Sequence, residues 1–288
     1  MKPPPFTYHA PTTVDEALTA LECDEGKVLA GGQSLVPLLN MRLAAPEHLV
    51  DIGGVARLDT VDAGPGGVRV GATVRQSALE HHDGAHRIVP LLRQALRHVA
   101  HPVIRNRGTV VGSLAHADPA GELTAVLALL GGSVEAARTG RRRQIPARAF
   151  FVGSLETCLE PDELAVSAYF PALPARGGTA FAEVARRHGD YALAGVAAAV
   201  TLDDGRRVSG ARVACTGVGP TPVVLDLTGA CADSPADRAD WAAAGTLAAD
   251  GVRPAADIHA SAEYRRHLVR VLAERALREA GGRAMGET

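Results

Sequence analysis

The sequence predicts an α+β chain of two domains, and three observations carry that reading. Strand-like runs lead into small-residue loops and then into helix-spaced apolar residues at two places, giving two β–loop–α units. Hairpin patterns follow at 134–145 and 196–215, and the chain closes on a helix. A length of 288 residues corresponds to about two domains, and the composition over 171–178 turns to Pro, Ala and Gly, as a linker would. The boundary is placed there, with 1–176 forming one domain and 177–288 a smaller one.

Taken in order, Thr13-Val14-Asp15-Glu16 reads as a capping box, and Val14, Ala17, Leu18 and Leu21 continue it as a helix near 14–22. A strand over 27–30 runs into Gly31-Gly32-Gln33-Ser34, and Leu35, Leu38, Leu39 and Met41 suggest a helical turn or two after it. Ser34 suits the N-cap because Pro37, three residues on, has no N–H to offer. Residues 49–52 resume extended structure and 68–70 form a short strand. Thr73-Val74-Arg75-Gln76 reads as a second capping box for a helix near 74–80. Leu92, Ala95, Leu96 and Val99 mark another helix, which Pro102 ends. Residues 108–113 read as strand and turn, and Asp118-Pro119 supplies a cap and a first-turn proline for a helix over 120–130.

Beyond these, 134–137 and 142–145 pair through Thr139-Gly140, and 163–170 is a strand. Asp204-Gly205 joins 196–202 to 208–215 in a tight primed turn. On the last helix Tyr264, Leu268, Val271 and Leu272 form the apolar face, with Arg265, Arg266 and Arg270 on the wet side.

Composition excludes several functions. Hydrophobic residues at 47% and charged residues at 22% describe a globular chain rather than a disordered or collagenous one. Thirty basic and 32 acidic residues leave a net charge of -2, so no overall positive field draws in nucleic acid or an anionic membrane, and an anion must be held locally. Cys23, Cys158, Cys215 and Cys231 form no Cys-x-x-Cys pair, so the chain offers neither a zinc ribbon nor an iron–sulfur ligand set. No metal site is expected. The opening Met1-Lys2-Pro3-Pro4-Pro5 lacks an apolar signal core, and the longest apolar stretch, 192–200, falls short of the about 20 residues that span a bilayer. A cytoplasmic protein without a membrane span is expected.

The two loops carry the chemistry. Gly31-Gly32-Gln33-Ser34 and Thr109-Val110-Val111-Gly112-Ser113 each follow a strand-like run, and successive amides in such turns form a nest for anionic oxygens. Two nests suit a diphosphate, and the helix starts behind them add positive potential without lysine or arginine. Neither loop matches Gly-x-Gly-x-x-Gly and no P-loop string occurs, so on spacing alone a dinucleotide and a pair of tight turns stay open.

The longer strings Ala30-Gly31-Gly32-Gln33-Ser34-Leu35-Val36-Pro37-Leu38-Leu39-Asn40-Met41-Arg42-Leu43 and Arg107-Gly108-Thr109-Val110-Val111-Gly112-Ser113-Leu114-Ala115-His116-Ala117-Asp118-Pro119-Ala120-Gly121-Glu122-Leu123, with Ala185-Arg186-Arg187-His188-Gly189-Asp190-Tyr191-Ala192-Leu193-Ala194, resemble the FAD-binding medium subunit of molybdenum hydroxylases. That family includes aerobic carbon monoxide dehydrogenase and bacterial xanthine dehydrogenase-like enzymes. The resemblance implies a two-part FAD-binding domain of the vanillyl-alcohol-oxidase (PCMH-like) type, subdomains about 1–53 and 54–176, followed by a smaller α/β C-terminal domain. It implies FAD held by Ala30, Gly31, Gly32, Gln33, Ser34 and Leu35 and by Thr109, Gly112 and Ser113. Glu122 would bond the ribose hydroxyls, Asp118 would lie near the ligand, Tyr191 beside the flavin ring, and Leu164 would contribute main chain. Many relatives carry Gly-Gly-Asn where this chain has Val111-Gly112-Ser113, and Asp where it has Glu122. These departures touch side chains more than the backbone nest.

By the same resemblance the chain is an electron-transfer subunit without a catalytic acid or base of its own. A small partner would hold 2Fe-2S clusters and a large one the molybdenum cofactor, in a hetero-oligomer such as a dimer of heterotrimers, with an external acceptor taking the electrons. A free-standing FAD-dependent oxidoreductase and a non-catalytic nucleotide-binding module are the alternatives. Other clusters have plainer readings. His81, His82 and His86 with Asp83 lack a metal-binding spacing, Arg141-Arg142-Arg143 fits an exposed strand, and no Gly-x-Ser-x-Gly elbow surrounds Ser34, Ser113 or Ser154. Cys158 and Cys215 read as small core residues.

Overall fold

The computed structural model describes residues 2–286; Met1, at the head of the string read for a leader, and Glu287 and Thr288 lie outside the described residues. The chain begins with a three-stranded parallel sheet, ordered β1-β3-β2, built from β1 (Thr7–His9), α1 (Val14–Leu21), β2 (Gly26–Leu29), α2 (Leu35–Met41) and β3 (His48–Asp51). Its first capping box forms as read: the Glu16 amide donates to Thr13 Oγ1 at 3.2 Å and the Thr13 amide to Glu16 Oε2 at 3.3 Å. Ala17, Leu18 and Leu21 form the buried stripe of α1. Ser34 precedes α2 as expected, but its hydroxyl caps no amide, because its own φ and ψ of -100° and -49° are helical rather than extended.

A five-stranded antiparallel sheet follows, ordered β4-β5-β10-β6-β7. The region runs through β4 (Val61–Gly64), β5 (Gly67–Gly71), the helices α3 (Gln76–Glu80), α4 (Asp83–Ile88), α5 (Pro90–Leu96), α6 (Pro102–Arg105), α7 (Val110–His116) and α8 (Glu122–Leu130), then β6 (Ser133–Arg138), β7 (Arg141–Pro146), α9 (Ala147–Phe150), β8 (Phe151–Gly153), β9 (Glu156–Thr157) and β10 (Leu164–Pro171), with β8 and β9 paired to each other in a separate two-stranded sheet. The hairpin of β6 and β7 turns at Thr139-Gly140, where Gly140 takes φ +72°. Strand β10 also lies where the sequence put it.

Four local readings in this region are corrected. The second capping box does not form, since Thr73 is buried and its amide donates to Leu58 O, while the Val74 carbonyl and Gln76 amide bond to Val110 and Gly108. Backbone partners across the chain outbid the local cap, so the helix starts only at Gln76. Pro102 opens a helix at its first position rather than ending one, and α5 has already stopped at Leu96. Residues 108–113 contribute one isolated bridge, Arg75 to Thr109, and then enter α7, whose start Thr109 caps by accepting the Gly112 N–H at 3.1 Å. Burial of Val110 and Val111 overrides their strand preference. Asp118 accepts the Ala120 amide at 2.8 Å in an Asx turn, so Pro119 stays in the turn and α8 begins at Glu122.

The remainder is a four-stranded antiparallel sheet of β11 (Gly177–Ala185), β12 (Ala192–Leu202), β13 (Val208–Thr216) and β14 (Val223–Asp226), with α10 (Trp241–Asp250) and α11 (Ala262–Met285). Strand periodicity divides its side chains. Phe181, Ala197, Ala199 and Ala214 join the core of the preceding region, beside α5 and α8, whereas Ala180, Val196, Ala198 and Val200 pack with α10 and α11. Burial on both faces explains the apolar run at 192–200. The stripe of α11 is rotated from the expected one. Leu268, Val269, Leu272, Ala273 and Ala276 are buried, Tyr264 is exposed, and Arg265 points inward. Its guanidinium donates to Leu193 O at 2.6 Å, Gly217 O at 3.0 Å and Asp257 Oδ2 at 2.6 Å, which pairs the buried charge, with Nε alone left without a partner, and pins α11 to the ends of β12 and β13. No helix among the described residues is long and apolar enough to cross a membrane.

Helix α11 lies directly on β11 at Gly178, where a Cβ would stand 2.1 Å from Ala280 O. Gly178→Val is expected to destabilise the chain by about 1–3 kcal/mol through overpacking; thermal denaturation reads this as a lowered Tm, and an unchanged Tm contradicts the contact.

Candidate cofactor site

The two small-residue loops meet at Gly31. A Cβ there would lie 2.5 Å from Arg107 O, 2.7 Å from Gly108 Cα and 3.0 Å from Thr109 N, so only glycine lets the backbones approach this closely. Gly32 adopts φ +74°, the left-handed conformation that turns the chain from β2 into α2. Among the described residues none of the amides of Gly31, Gly32, Gln33 and Ser34 donates to a protein acceptor, while the Gln33 side chain holds the Gly31 carbonyl at 3.3 Å. Four consecutive free N–H groups on a left-handed turn make an anion nest.

The opposite loop is held rigidly. Arg105, 7% exposed, donates to both oxygens of Glu80 at 2.8 and 3.3 Å and to the carbonyls of Val99 and Ala100. Arg75 donates to the Arg107 carbonyl from outside. At Gly112 a Cβ would meet Thr109 Oγ1 at 2.4 Å, so this glycine serves the cap of α7 rather than open ligand space; Ala30 is the other neighbour, at 3.8 Å. Ser113 and Leu35 stand half-buried in the first turns of α7 and α2.

Asp118, Glu122 and Tyr191 form a second group. The turn from Asp118 to Gly121 is tied to the C-terminal sheet by the Thr216 hydroxyl and the Gly217 amide, which donate to Pro119 O at 2.6 and 2.8 Å. Burial pushes the Glu122 carboxyl up to about 8, the charge of Glu183 adds to this, and Asp118 adds further. The Tyr191 phenol is raised by desolvation and then by Asp118 and Glu122, which puts the three within electrostatic reach of one another. Burial also holds His116, 4.0 Å from Asp118, below the usual imidazole range. The Tyr191 side chain is 73% exposed. Its loop is pressed against His101, whose ring lies 5.6 Å from that of His188 and 2.8 Å from where a Gly189 Cβ would be. Because His101 leads through α6 into Arg107 and Thr109, the two groups share a support.

Leu164 heads β10, opposite Ala137, with its side chain in the core. Two residues escaped the sequence reading, Glu183 on β11 and His98 after α5. An acidic residue inside the otherwise apolar run 180–184 was the available signal for Glu183.

The other clusters are structural. His82 Nδ1 accepts the Ala85 amide at 3.0 Å and His81 Nδ1 lies 2.8 Å from Ser77 O, and no metal-binding group of side chains occurs among the described residues. Arg143 pairs with buried Glu163 at 2.6 and 2.7 Å, and Arg142 with Glu135 at 3.2 Å. Burial pushes the Cys215 thiol up to about 12, far from a reactive thiolate.

One nest of free amides at Gly31–Ser34, packed directly against a second loop on an α+β frame, suits a phosphate-linked cofactor. The chain belongs to the FAD-binding subunits of molybdopterin dehydrogenases: residues 4–173 match the FAD binding domain in molybdopterin dehydrogenase, and residues 179–280 match the CO dehydrogenase flavoprotein C-terminal domain. It is 41% identical to the 6-hydroxypseudooxynicotine dehydrogenase complex subunit alpha of Paenarthrobacter nicotinovorans, over 99% of this chain and 97% of that one. Its fold is similar to quinoline 2-oxidoreductase from Pseudomonas putida 86, with TM-score 0.92 and 36% identity over 99% of this chain and 100% of the other. It is likewise similar to carbon monoxide dehydrogenase from Hydrogenophaga pseudoflava, with TM-score 0.91 and 34% identity over 98% and 99% of the two chains. The relatives are subunits of oxidoreductase complexes.

Gly31→Ala is expected to force the two loops apart and destabilise the protein by about 1–3 kcal/mol, with lowered FAD content. Unchanged Tm and full flavin content in that variant would show that the loops do not depend on this contact.

Proposed function

We propose that the chain holds FAD across the two loops and conducts electrons between a partner's iron–sulfur clusters and an external acceptor. The observation that carries this reading is the run of four unpartnered amides at Gly31–Ser34 facing a glycine-permitted approach to Thr109. In it, the free amides of the 30–35 segment hold the diphosphate against the loop of Thr109, Gly112 and Ser113, whose Val110, Gly112 and Ser113 amides are spent on Val74 and Thr109 and which therefore bounds the site with its backbone; Glu122 and Asp118 face the hydroxyl-bearing part of the cofactor, Tyr191 flanks the ring, and Leu164 contributes main chain alone. The residues present fit the group, since a diphosphate needs several converging N–H donors and little side-chain bulk. FAD, when bound, supplies the capacity to take up single electrons and release them in pairs, while the protein binds and orients it.

The relatives' names as medium chains and complex subunits support a multi-subunit assembly. In the proposed assembly a small subunit carries the 2Fe-2S clusters, a large one carries the molybdenum cofactor and oxidises substrate, and the whole is a hetero-oligomer such as a dimer of heterotrimers. Two domains, 1–176 and 177–288, divide the labour in this reading: the first carries the phosphate loops and the second presents Tyr191.

Gly32→Asp is expected to yield folded protein that has lost its FAD, because a carboxylate would enter the nest and the φ of +74° disfavours any side chain. Absorbance of the purified protein reads the flavin and circular dichroism reads the fold. Full flavin content in a folded variant would remove the loop from the site. Copurification of an iron–sulfur chain and a molybdenum chain supports the electron-transfer reading, whereas steady turnover by the isolated flavoprotein favours a free-standing oxidoreductase.

A further inference from the structure

Where the segment 173–179 passes from the five-stranded to the four-stranded sheet, it leaves a cavity to which the proposed function gives no task. The volume is about 220 Å³, well beyond the about 10–15 Å³ that one water molecule needs. Its wall is aliphatic and is drawn from three places: Ile88, Val89 and Pro90 where α4 meets α5, Leu130 at the end of α8, and Leu173 and Pro174 after β10. The bend that closes it is fixed by the Gly177 amide, which donates to Pro174 O at 3.0 Å. An apolar lining with a few polar groups that fix orientation is the character of a ligand pocket.

Of the lining side chains just two are polar, Thr179 and Arg87. Thr179 is 3% exposed and shares the face of β11 from which Phe181 enters the N-terminal core. Its Oγ1 is buried without a hydrogen-bond partner, although its carbonyl accepts from Arg283 at 2.7 Å. A buried hydroxyl left unpaired is costly unless a ligand or water completes it. Arg87 stands exposed at the rim and makes no ion pair among the described residues. The carboxylate nearest to it in sequence, Asp83, is engaged by Arg93 at 2.9 Å. The neighbourhood is cationic: after burial, the charges of Arg93, Arg97 and Arg283 hold His86 below the usual imidazole range, with Asp83 the opposing carboxylate.

We infer that this cavity is a second binding site, for a small aliphatic carboxylate: the carboxylate pairs with Arg87 and accepts the Thr179 O–H, and the hydrocarbon body lies against Ile88, Val89, Leu130 and Leu173. The cationic rim disfavours an amine of the same shape. The volume lies below the about 300–1,000 Å³ of pockets for drug-sized molecules, so the ligand is small. Since the wall belongs to α4, α8 and β11 together, occupancy also stabilises the fold by mass action.

The probe is 3-methylbutanoate, titrated into the purified full chain at constant ionic strength and followed by ligand-observed nuclear magnetic resonance. Saturable binding is expected with a Kd of about 1–10 mM, the range open to so small a ligand, together with a raised Tm. The neutral 3-methylbutanamide binds about tenfold more weakly. Arg87→Gln weakens 3-methylbutanoate binding about tenfold and Thr179→Val several-fold, as loss of a charge-assisted and of a neutral hydrogen bond requires. Because Arg87→Gln leaves the amides of Gly31–Ser34 untouched, that loss separates the cavity from the anion nest, and FAD content stays unchanged in both variants. No saturable binding in this range, equal binding of the amide, or an unchanged affinity in Arg87→Gln overturns the proposal. If Thr179→Val does not fold, Arg87→Gln and the amide decide alone.

Discussion

The close approach of two backbones at Gly31 is the constraint on which the site depends. One segment leaves a parallel sheet and the other leaves α6, and they meet with no side chain between them. That geometry leaves the amides of Gly31 to Ser34 without protein partners on a half-exposed loop, open to an acceptor from outside the chain. An anionic ligand does so with hydrogen bonds to fixed dipoles, and no mobile lysine or arginine needs to be ordered for binding. A net charge of -2 is compatible with anion binding for this reason.

The support of the second loop shows how the frame sustains the site. Arg105 is buried because its charge is fully engaged by Glu80 and two carbonyls, and Arg75 grips the Arg107 carbonyl. These contacts fix the segment ahead of Thr109, which then caps α7. The C-terminal sheet reaches the same region from the other side through Thr216 and Gly217 on the Pro119 carbonyl. The two halves of the chain are thereby coupled at the turn that carries Asp118 and Glu122.

Much of this was legible in the sequence, and the failures have physical causes. Elements with their own chemistry were readable: the Thr13–Glu16 box, the Thr139-Gly140 turn, and the Gly31-Gly32 loop between β2 and α2. Where long-range partners decide the conformation, local signals misled. Thr73 mimics a cap but its backbone is claimed by Leu58, and Val110-Val111 mimics a strand but is buried as helix. Arg265 looked solvated because composition cannot reveal that two strand ends present carbonyls to it. Among site residues the loop glycines were visible as turns, whereas the roles of Glu122 and Tyr191 came only from family likeness, since spacing does not place a helix start beside a distant loop. Glu183 was missed because its environment is assembled from three elements far apart in sequence.

The account stands on the amides of one loop receiving the cofactor's phosphates, and amide hydrogen exchange with and without FAD reads those amides directly. Slowed exchange at Gly31, Gly32, Gln33 and Ser34 upon FAD addition is the expected result. Unchanged exchange at all four, with protection appearing in another part of the chain, would contradict it.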